Sequence, residues 1–490
     1  MKRRYLIILL GVALAFNACN DWLDVSPRSE IRESELFLSE DGYKHALTGA
    51  YILIAQQQLY GKNASMYIPE ALSRHWTTSE TTSELYRLMN YEYTYSNVES
   101  LTSNLWLNYY KVIAQLNNIL ENIETSDVKF QYNNDRLIKG EALGLRAFLH
   151  LEVLRLFGPV PDIAQQGDIA IPYVTELTKD PNKLLSISYS EVLKLIEADL
   201  NAAEKLLEID PLIINTNWLL NRDEDRTEEN YPKDSWQLFR QARFNYYAVL
   251  GTKARFYHWA GNKPQAAEYA KKVIEAVNDN DNDSPKFTLA NETSYSDDNK
   301  NMVMYSEHLF GIQNSNLRSI ISPLFIDASA SLTQAQNSIN TAYEISVNPD
   351  DIRRPSRYWE YKSGYQTNMF FLKYSGTEAV PSNNRVPLLR LSELYLILIE
   401  DLSLEEAKPY FSAYRTSRSM NISVEETSFV DENARLSRLE KEYRKEFYGE
   451  GQMFFFYKKH NYESFTWPAA FTVPANGYVI PKPKSQLKFE

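Results

Sequence analysis

Residues 240–278, RQARFNYYAVLGTKARFYHWAGNKPQAAEYAKKVIEAVN, indicate the fold, because they predict two helices joined by a tight turn. The first helix ends before Gly261, a residue type that commonly follows a helix C-terminus. Pro264 opens the second helix, where its missing N–H is not needed. The inner face of that second helix carries Ala266, Ala270, Val273 and Ile274. Two helices and a turn within about 35 residues, with small residues at the crossing, are typical of a tetratricopeptide-like repeat.

Helical patterns continue on both sides of this hairpin. Apolar residues share one helix face from Leu105 to Ile123, and a following helix stops at Gly158-Pro159. A capping box, Ser188 to Glu191, starts another helix. More helices are predicted at 388–402, 404–419 and 433–448. From about 302 to 385 the segments are short, polar and aromatic, and few of them carry a helix pattern. The sequence therefore predicts a mainly α fold, a tetratricopeptide-like superhelix of helical hairpins with an irregular, loop-rich insert; a generic helical bundle is the alternative.

The N-terminus resembles an export signal. Three basic residues precede a short apolar run over 5–16, which is too short to span a bilayer. Cys19, the only cysteine of the chain, follows directly and cannot form an internal disulfide. We expect a signal peptide over 1–18, a lipidated Cys19, a tether over 19–35 and one domain over 36–490. Its helical frame is expected at about 36–280 and 386–490 and its insert at about 281–385. An ordinary secretory signal with an incidental cysteine is the alternative.

The composition limits the partners. The net charge of −12 disfavours nucleic acid, because phosphate backbones attract basic surfaces. Hydrophobic residues make up 44% of the chain, which permits a large core. The sequence contains no further apolar run of about 18 residues, so it predicts no transmembrane helix.

Motifs for catalysis, metals or cofactors are missing. The six histidines form no pair at ligand spacing on one helix, and Gly449-Glu450-Gly451 lacks the rest of a dinucleotide fingerprint. Residues 279–283, DNDND, begin like a calcium loop but lack its later glycine and glutamate. Glu440, Glu442 and Glu446 alternate with basic residues, which predicts a salt-bridged helix surface. We therefore expect no metal, no cofactor and no enzyme, although a carboxylate pair for glycoside hydrolysis cannot be read from sequence.

Aromatic residues outside the helical faces are the best binding candidates. Trp76, Tyr86 and Tyr91 lie among serine, threonine and asparagine in residues 61–103. A ring beside amides and hydroxyls suits a sugar, whose C–H face packs on the ring while its hydroxyls form hydrogen bonds. For any single ring, plain packing is the alternative.

Seven stretches, in this order, resemble the SusD/RagB family of outer-membrane nutrient-binding lipoproteins. They are CNDWLDVSP at 19–27, GEALGLRAFL at 140–149, LFGPVP at 156–161, ARFYHWAG at 254–261, PLLRLSELY at 387–395, EYRKEFYGEG at 442–451 and VIP at 479–481. The resemblance implies a tetratricopeptide-like frame that carries a variable ligand region. It also implies a lipid-anchored protein of the outer membrane that faces the cell exterior.

The resemblance further implies binding of an oligosaccharide or polysaccharide and its delivery to a SusC-like TonB-dependent transporter. A peptide ligand on the same scaffold and a surface glycoside hydrolase are the alternatives. No ligand motif transfers by identity, so the candidate residues are chosen by position. They are Arg74, Trp76, Tyr86 and Tyr91 in the first loop and Asn314, Asn316 and Phe325 in the insert.

Overall fold

The computed structural model describes residues 33–78, 80–214, 232–278, 284–295, 302–327, 329–362, 368–376, 384–421 and 429–490. The predicted signal peptide, Cys19 with most of its tether, and the DNDND stretch lie outside the described residues.

Helices dominate the described chain, which confirms the mainly α prediction. The longer helices are α2 Glu40–Ile54, α5 Ser96–Glu124, α6 Asn134–Phe157, α7 Tyr189–Leu207, α9 Tyr246–Trp259, α10 Lys263–Ile274, α14 Leu391–Asp401, α15 Leu404–Ser417, α16 Glu432–Glu446 and α17 Gln452–Lys459. The shorter ones are α1 Glu33–Leu36, α3 Ile68–Ser73, α4 Glu84–Met89, α8 Pro211–Ile214, α11 Leu317–Ile321, α12 Gln336–Ala342, α13 Pro355–Tyr358 and α18 Lys484–Leu487.

Seven short strands form three small sheets in the described residues. They are β1 His308–Gln313, β2 Gln334–Ala335, β3 Trp359–Tyr361, β4 Asn368–Phe371, β5 Arg385–Arg390, β6 Ser464–Phe465 and β7 Phe471–Thr472. The sheets pair β1 with β5, β6 with β7, and β4 centrally between β2 and β3, all antiparallel.

The longer helices pack as a continuous series. Helix α5 packs on α6, α6 on α7, α7 on α9, α9 on α10, and α10 on α14. Helix α14 then contacts α15 and α16, and α16 contacts α17. Successive helices that pack on their neighbours are what the repeat pattern predicts, and α9 and α10 are joined by a short turn.

The predicted hairpin is confirmed as α9 and α10. Gly261 has a φ of +76°, and the Asn262 side chain accepts a hydrogen bond from the Gln265 N–H at the start of α10. Gly251 lets α9 approach β5, because a Cβ there would lie 2.7 Å from the Leu389 Cδ2 atom. No helix among the described residues is long and apolar enough to cross a membrane.

The predicted insert is joined to the frame by a strand pair and by buried ions. Strand β1 runs beside β5, with Phe310 opposite Leu389 and Ile312 opposite Val386. Glu307, which directly precedes β1, pairs with Arg390 and Arg418, and the N–O distances are 3.0 and 2.8 Å. The outer bounds of the domain stay a prediction.

The acidic pattern on α16 was expected to face solvent, and this expectation is wrong for two of its glutamates. Glu442 and Glu446 are fully buried, and each lies within 3.0 Å of the buried Arg353. The sequence predicted that these glutamates pair with basic residues. It did not predict their burial, because Arg353 comes from another part of the chain. Burial raises the pKa of Glu442, but the charges of Lys445 and Arg353 outweigh it and lower that pKa to about 2.

Candidate functional site

A cleft of about 700 Å³ opens between the end of α2 and the end of β1. One wall is the exposed run Gln56-Gln57-Gln58, which follows α2 directly. The opposite wall is residues 313–320, which lead from β1 into α11. Its lining is Thr48, Tyr51, Ile52, Ala55, Gln56, Gln57, Gln58, Ala242, Ile312, Gln313, Asn314, Ser315, Asn316, Ser319 and Ile320.

Asn314 holds the two walls together. Its Nδ2 donates to the Ala55 carbonyl oxygen at 3.0 Å, and its own backbone N–H donates to the Asn384 carbonyl at 2.8 Å. The Asn314 Oδ1 accepts from the Asn316 N–H at 3.0 Å, which forms a local asparagine turn. Asn314 therefore shapes the cleft, and Asn316 is left exposed at its rim.

An aromatic end continues the cleft. A second cavity of about 250 Å³ shares Thr48, Tyr51 and Ala242 with the first. Trp236, Phe239 and Arg243 add to its lining. The two cavities thus form one groove with an amide end and an aromatic end.

Phe239 stands out at the aromatic end because its ring is 52% exposed and its backbone is left-handed, with a φ of +58°. A non-glycine residue pays a conformational penalty in that region, and such residues concentrate at functional sites. The following residue, Arg240, is fully buried and bonds Asp210 through Nε at 3.0 Å and Nη2 at 2.6 Å. This ion pair anchors the turn, so that Phe239 is held outward on a rigid base.

The electrostatics of Arg240 agree with an anchoring role. Burial alone lowers the pKa of its guanidinium, but the charges of Asp210 and Glu141 outweigh burial and raise it. Arg243 lies beside this pair, with its guanidinium 4.1 Å from the Trp236 ring centroid and 3.6 Å from Glu141. The charge of Arg243 therefore has a carboxylate neighbour and an aromatic one.

The groove can offer ring faces at one end and hydrogen-bonding amides and hydroxyls at the other. Such a surface suits an extended ligand with apolar faces and many hydroxyls. Among the described residues that line the two cavities, Arg243 is the only charged one.

The predicted site residues fall in three different places. Asn314 and Asn316 line the groove. Arg74 lies elsewhere: its Nη1 donates to the Met89 carbonyl at 2.7 Å, and its guanidinium covers the Phe471 ring at 3.7 Å. Tyr91 is buried beside that ring and donates its hydroxyl to the Leu72 carbonyl at 2.6 Å. Tyr86 is half-buried in α4, where its N–H donates to the Ser83 side chain.

Trp76 and Phe325 lie in the hydrophobic core. The Trp76 side chain is 1% exposed, and its ring stacks on Phe325 with centroids 5.0 Å apart. Trp359, Phe371 and Tyr448 complete the cluster, with ring centroids 4.8 to 5.5 Å from that of Trp76. The structure thus brings the first loop and the insert together, as a packed core and not as an open surface. A ligand does not reach these two rings in this arrangement, so the packing alternative applies to them.

A buried carboxyl accompanies Trp76. The Trp76 Nε1 donates to the Glu70 Oε2 at 2.6 Å, and the Gly451 N–H donates to Glu70 Oε1 at 2.6 Å. Burial raises the pKa of the Glu70 carboxyl to about 7, although both hydrogen bonds oppose this shift. This carboxyl supports the core and does not face the groove.

Sequence reasoning missed the aromatic end of the groove. Trp236, Phe239 and Arg243 lie between a charged loop and the hairpin, in a stretch without periodicity. The glutamine run at 56–58 was a signal only for the opposite, amide end, since three amides just after a helix favour a polar surface. The left-handed backbone of Phe239 has no marker in the sequence.

Comparisons with known proteins agree with this architecture. Residues 21–216 match a SusD-like family described as starch-binding and associating with the outer membrane. One SusD-like protein of Formosa agariphila is 29% identical over 207 residues, which cover 42% of this chain and 37% of that protein. A second SusD-like protein from the same organism is 23% identical over 167 residues, which cover 33% of this chain and 31% of that protein. The matched regions thus span about a third of the length of these curated relatives.

Solved structures share the fold over nearly the whole chain. A SusD superfamily protein from Bacteroides thetaiotaomicron superposes with a TM-score of 0.69 at 20% identity, covering 92% of this chain and 98% of that one. A SusD-like carbohydrate binding protein from Bacteroides vulgatus gives 0.66 at 19% identity, covering 92% and 96%. Surface glycan-binding protein A from Bacteroides thetaiotaomicron gives 0.63 at 14% identity, covering 92% and 98%. The N-terminal region is therefore similar to a SusD-like family, and the chain shares its fold with SusD superfamily structures.

Proposed function

We propose that this protein binds an extended, neutral oligosaccharide in the groove between α2 and β1, without catalysis. It then delivers the ligand to a SusC-like TonB-dependent transporter, while a lipid on Cys19 holds it at the outer membrane, facing the exterior. The observation that carries the ligand class is the outward Phe239 ring at one end of an amide-lined groove. The starch-binding description of the matching family supports the same class.

A neutral ligand is favoured by the local charges. Arg243 lies beside Glu141, and Lys44, the next cation near Trp236, lies 2.7 Å from Asp234. Both cations therefore have acidic neighbours, and little uncompensated charge faces the groove. The ligand's binding energy comes from ring contacts and directed hydrogen bonds.

Affinity gels test this proposal. The purified protein is run on native gels cast with plant, host and microbial polysaccharides, and the same mixtures are assayed for released sugar. We expect retardation by at least one polysaccharide without release. Phe239→Ala removes the ring face and is expected to weaken binding at least several-fold, and Asn316→Ala to weaken it less.

Phe489→Ala is the matched control, because Phe489 is equally exposed, at 51%, and does not line the groove. Equal retardation of Phe239→Ala and the wild type would exclude the groove as the site. Release of sugar would favour the glycosidase alternative, and no retardation on any gel would favour a peptide ligand.

The transporter is tested separately. The protein is isolated from its native membrane under mild detergent, and a TonB-dependent transporter is expected to co-purify in a fixed ratio. A Cys19→Ser variant is expected to leave the membrane fraction if the cysteine carries the anchor. Retention of that variant in the membrane would contradict the lipid anchor while leaving the ligand proposal intact.

A further inference from the structure

Three helix ends meet at a cluster of histidine and carboxylate side chains outside the groove. His258 lies in the last turn of α9, Glu400 and Asp401 end α14, and His460 follows α17. The His258 Nε2 lies 3.5 Å from the Glu400 Oε2, and its Nδ1 lies 2.6 Å from the Asp401 Oδ2. No local pattern in the sequence predicts this cluster, since its histidines and its carboxylates come from separate helices.

Two buried oxygens of the cluster have no hydrogen-bond partner among the described residues. They are the Glu400 Oε2 and the Asp401 Oδ1. The side chains that carry them are only 7% and 1% exposed. An orphaned buried carboxylate oxygen is costly, and a bound ion is one of the arrangements that relieve such a cost.

The geometry around His258 is that of an oriented metal ligand. When Asp401 accepts the Nδ1–H, the lone pair of Nε2 is left for a cation, the arrangement that holds many metal-binding histidines in place. Two ligand atoms bound to one tetrahedral Zn²⁺ are about 3.4 Å apart. The separation of 3.5 Å between His258 Nε2 and Glu400 Oε2 matches that value.

The charges of the cluster also favour a cation. Glu400 and Asp401 bring two negative charges, against the single fixed positive charge of Lys459, which lies 2.5 Å from the Glu400 Oε1. The His460 Nε2 lies 3.1 Å from that same oxygen, so both neighbours use Oε1 and neither uses Oε2. The C-terminal ends of α9, α14 and α17 add partial negative charge. Lys459 uses Oε1 of Glu400, so the orphaned Oε2 is the oxygen that remains for an ion.

We propose that His258 and Glu400 bind a divalent cation of the zinc type, with Asp401 holding the imidazole. Water completes the coordination. The ion fastens the ends of α9 and α14 together, and its role is structural and independent of ligand binding in the groove.

Calorimetry tests the site. The purified protein is treated with EDTA and titrated with ZnCl₂, and one saturable site is expected, together with a rise in Tm of several degrees. His258→Gln and Glu400→Gln are each expected to weaken binding at least tenfold, and Asp401→Asn by about 10- to 100-fold. His45→Gln, at an exposed histidine of α2, is the matched control and should bind like the wild type.

Titration of the wild type with Co²⁺ tests the same site without any substitution. The strong visible absorption of four-coordinate Co²⁺ is expected, and it decides the question if the variants do not fold. The proposal is overturned if the wild type shows no saturable Zn²⁺ binding, if His258→Gln binds as tightly as the wild type, or if bound Co²⁺ keeps the weak spectrum of the hydrated ion.

Discussion

The Trp76 indole is held from two sides, by aromatic rings and by a carboxyl. Phe325, Trp359 and Tyr448 surround its faces and edges, and its N–H is satisfied by Glu70. A buried tryptophan contributes a large apolar area and needs such a partner for its polar atom. The ring therefore couples α3 and its following turn to the insert and to the C-terminal helices.

Trp76→Ala tests this packing role. The substitution leaves a large cavity and an unpaired Glu70 oxygen, so we expect it to lower the free energy of unfolding by about 3–5 kcal/mol. Denaturant unfolding measures the change. Tyr361→Ala is the control, because that ring is 52% exposed, and it should cost about 0.5 kcal/mol or less. A Trp76 variant as stable as the control would show that the ring is not a core residue.

Glu70 gives the protein a pH-dependent stability. Its pKa in the folded state is about 7, above the ordinary value of 4.5. The contribution of this carboxyl is fully present below about pH 4.5 and is lost as the pH rises through about 7, because folding then has to bury a charge. The loss amounts to at most about 3 kcal/mol.

Comparison with Glu70→Gln isolates that effect, since the glutamine does not titrate. The unfolding free energy of the wild type minus that of the variant should fall between pH 5 and pH 8, as measured by urea unfolding. A difference that is equal at the two pH values would mean that Glu70 does not titrate in this range. Any constant offset from altered hydrogen bonding cancels in this comparison.

At the scale of elements, a buried ion network joins the insert to α16. Glu446 accepts hydrogen bonds from Arg353, Arg390 and Arg418, with N–O distances of 2.8 to 3.0 Å. Glu307 bonds Arg390 and Arg418 from the segment that leads into β1. Burial raises the pKa of Glu446, but the guanidinium charges of Arg418 and Arg390 outweigh it and hold that pKa well below its usual range. The network fixes the orientation of β1, and β1 carries one wall of the groove.

Glu446→Gln removes the carboxylate that Arg353, Arg390 and Arg418 share, and it leaves these buried charges with fewer acidic partners. We expect a loss of about 3–5 kcal/mol of unfolding free energy, because breaking a buried ion pair from one side exposes the full burial cost of the other. Glu405→Gln is the matched control in the exposed pair with Lys408, where about 0–1 kcal/mol is expected. Thermal and chemical unfolding measure the stability of both variants. Equal losses of unfolding free energy in Glu446→Gln and Glu405→Gln would contradict a stabilising network.

At the scale of the whole molecule, the groove exists only because separate parts of the chain meet. Residues 48–58, the turn at 235–243 and the segment 312–320 each supply part of its lining. Helix packing positions the first part, the ion pair of Arg240 with Asp210 anchors the second, and the pairing of β1 with β5 positions the third. Its mostly uncharged lining is a property of this assembly and not of any single segment.

The salt dependence of glycan binding follows from that lining. If the ligand is neutral, its dissociation constant should change less than about twofold between low and high salt, because no charge pair across the interface is screened. Calorimetry with the polysaccharide that retards the protein on gels measures this. A steep weakening with salt would indicate an acidic glycan bound through Arg243.

The sequence by itself determined the helical hairpins, their caps and the resemblance to the SusD family. Helix periodicity, the turn at Gly261 and the capping serines act over a few residues, so each stretch carries its own signal. Asn314 and Asn316 were chosen by position from that resemblance, and both line the groove. That they contact a ligand stays a prediction. The alternation of acidic and basic residues also predicted that the glutamates of α16 form salt bridges.

Only the tertiary structure decided which rings and charges are buried. Trp76 and Phe239 both lie in irregular polar stretches, yet one is packed in the core and the other faces solvent. The difference arises because Trp76 meets Phe325, Trp359 and Tyr448 from distant parts of the chain, whereas the Arg240 anchor holds Phe239 outward. Burial is the sum of contacts across the chain, and no local pattern of residue types records it.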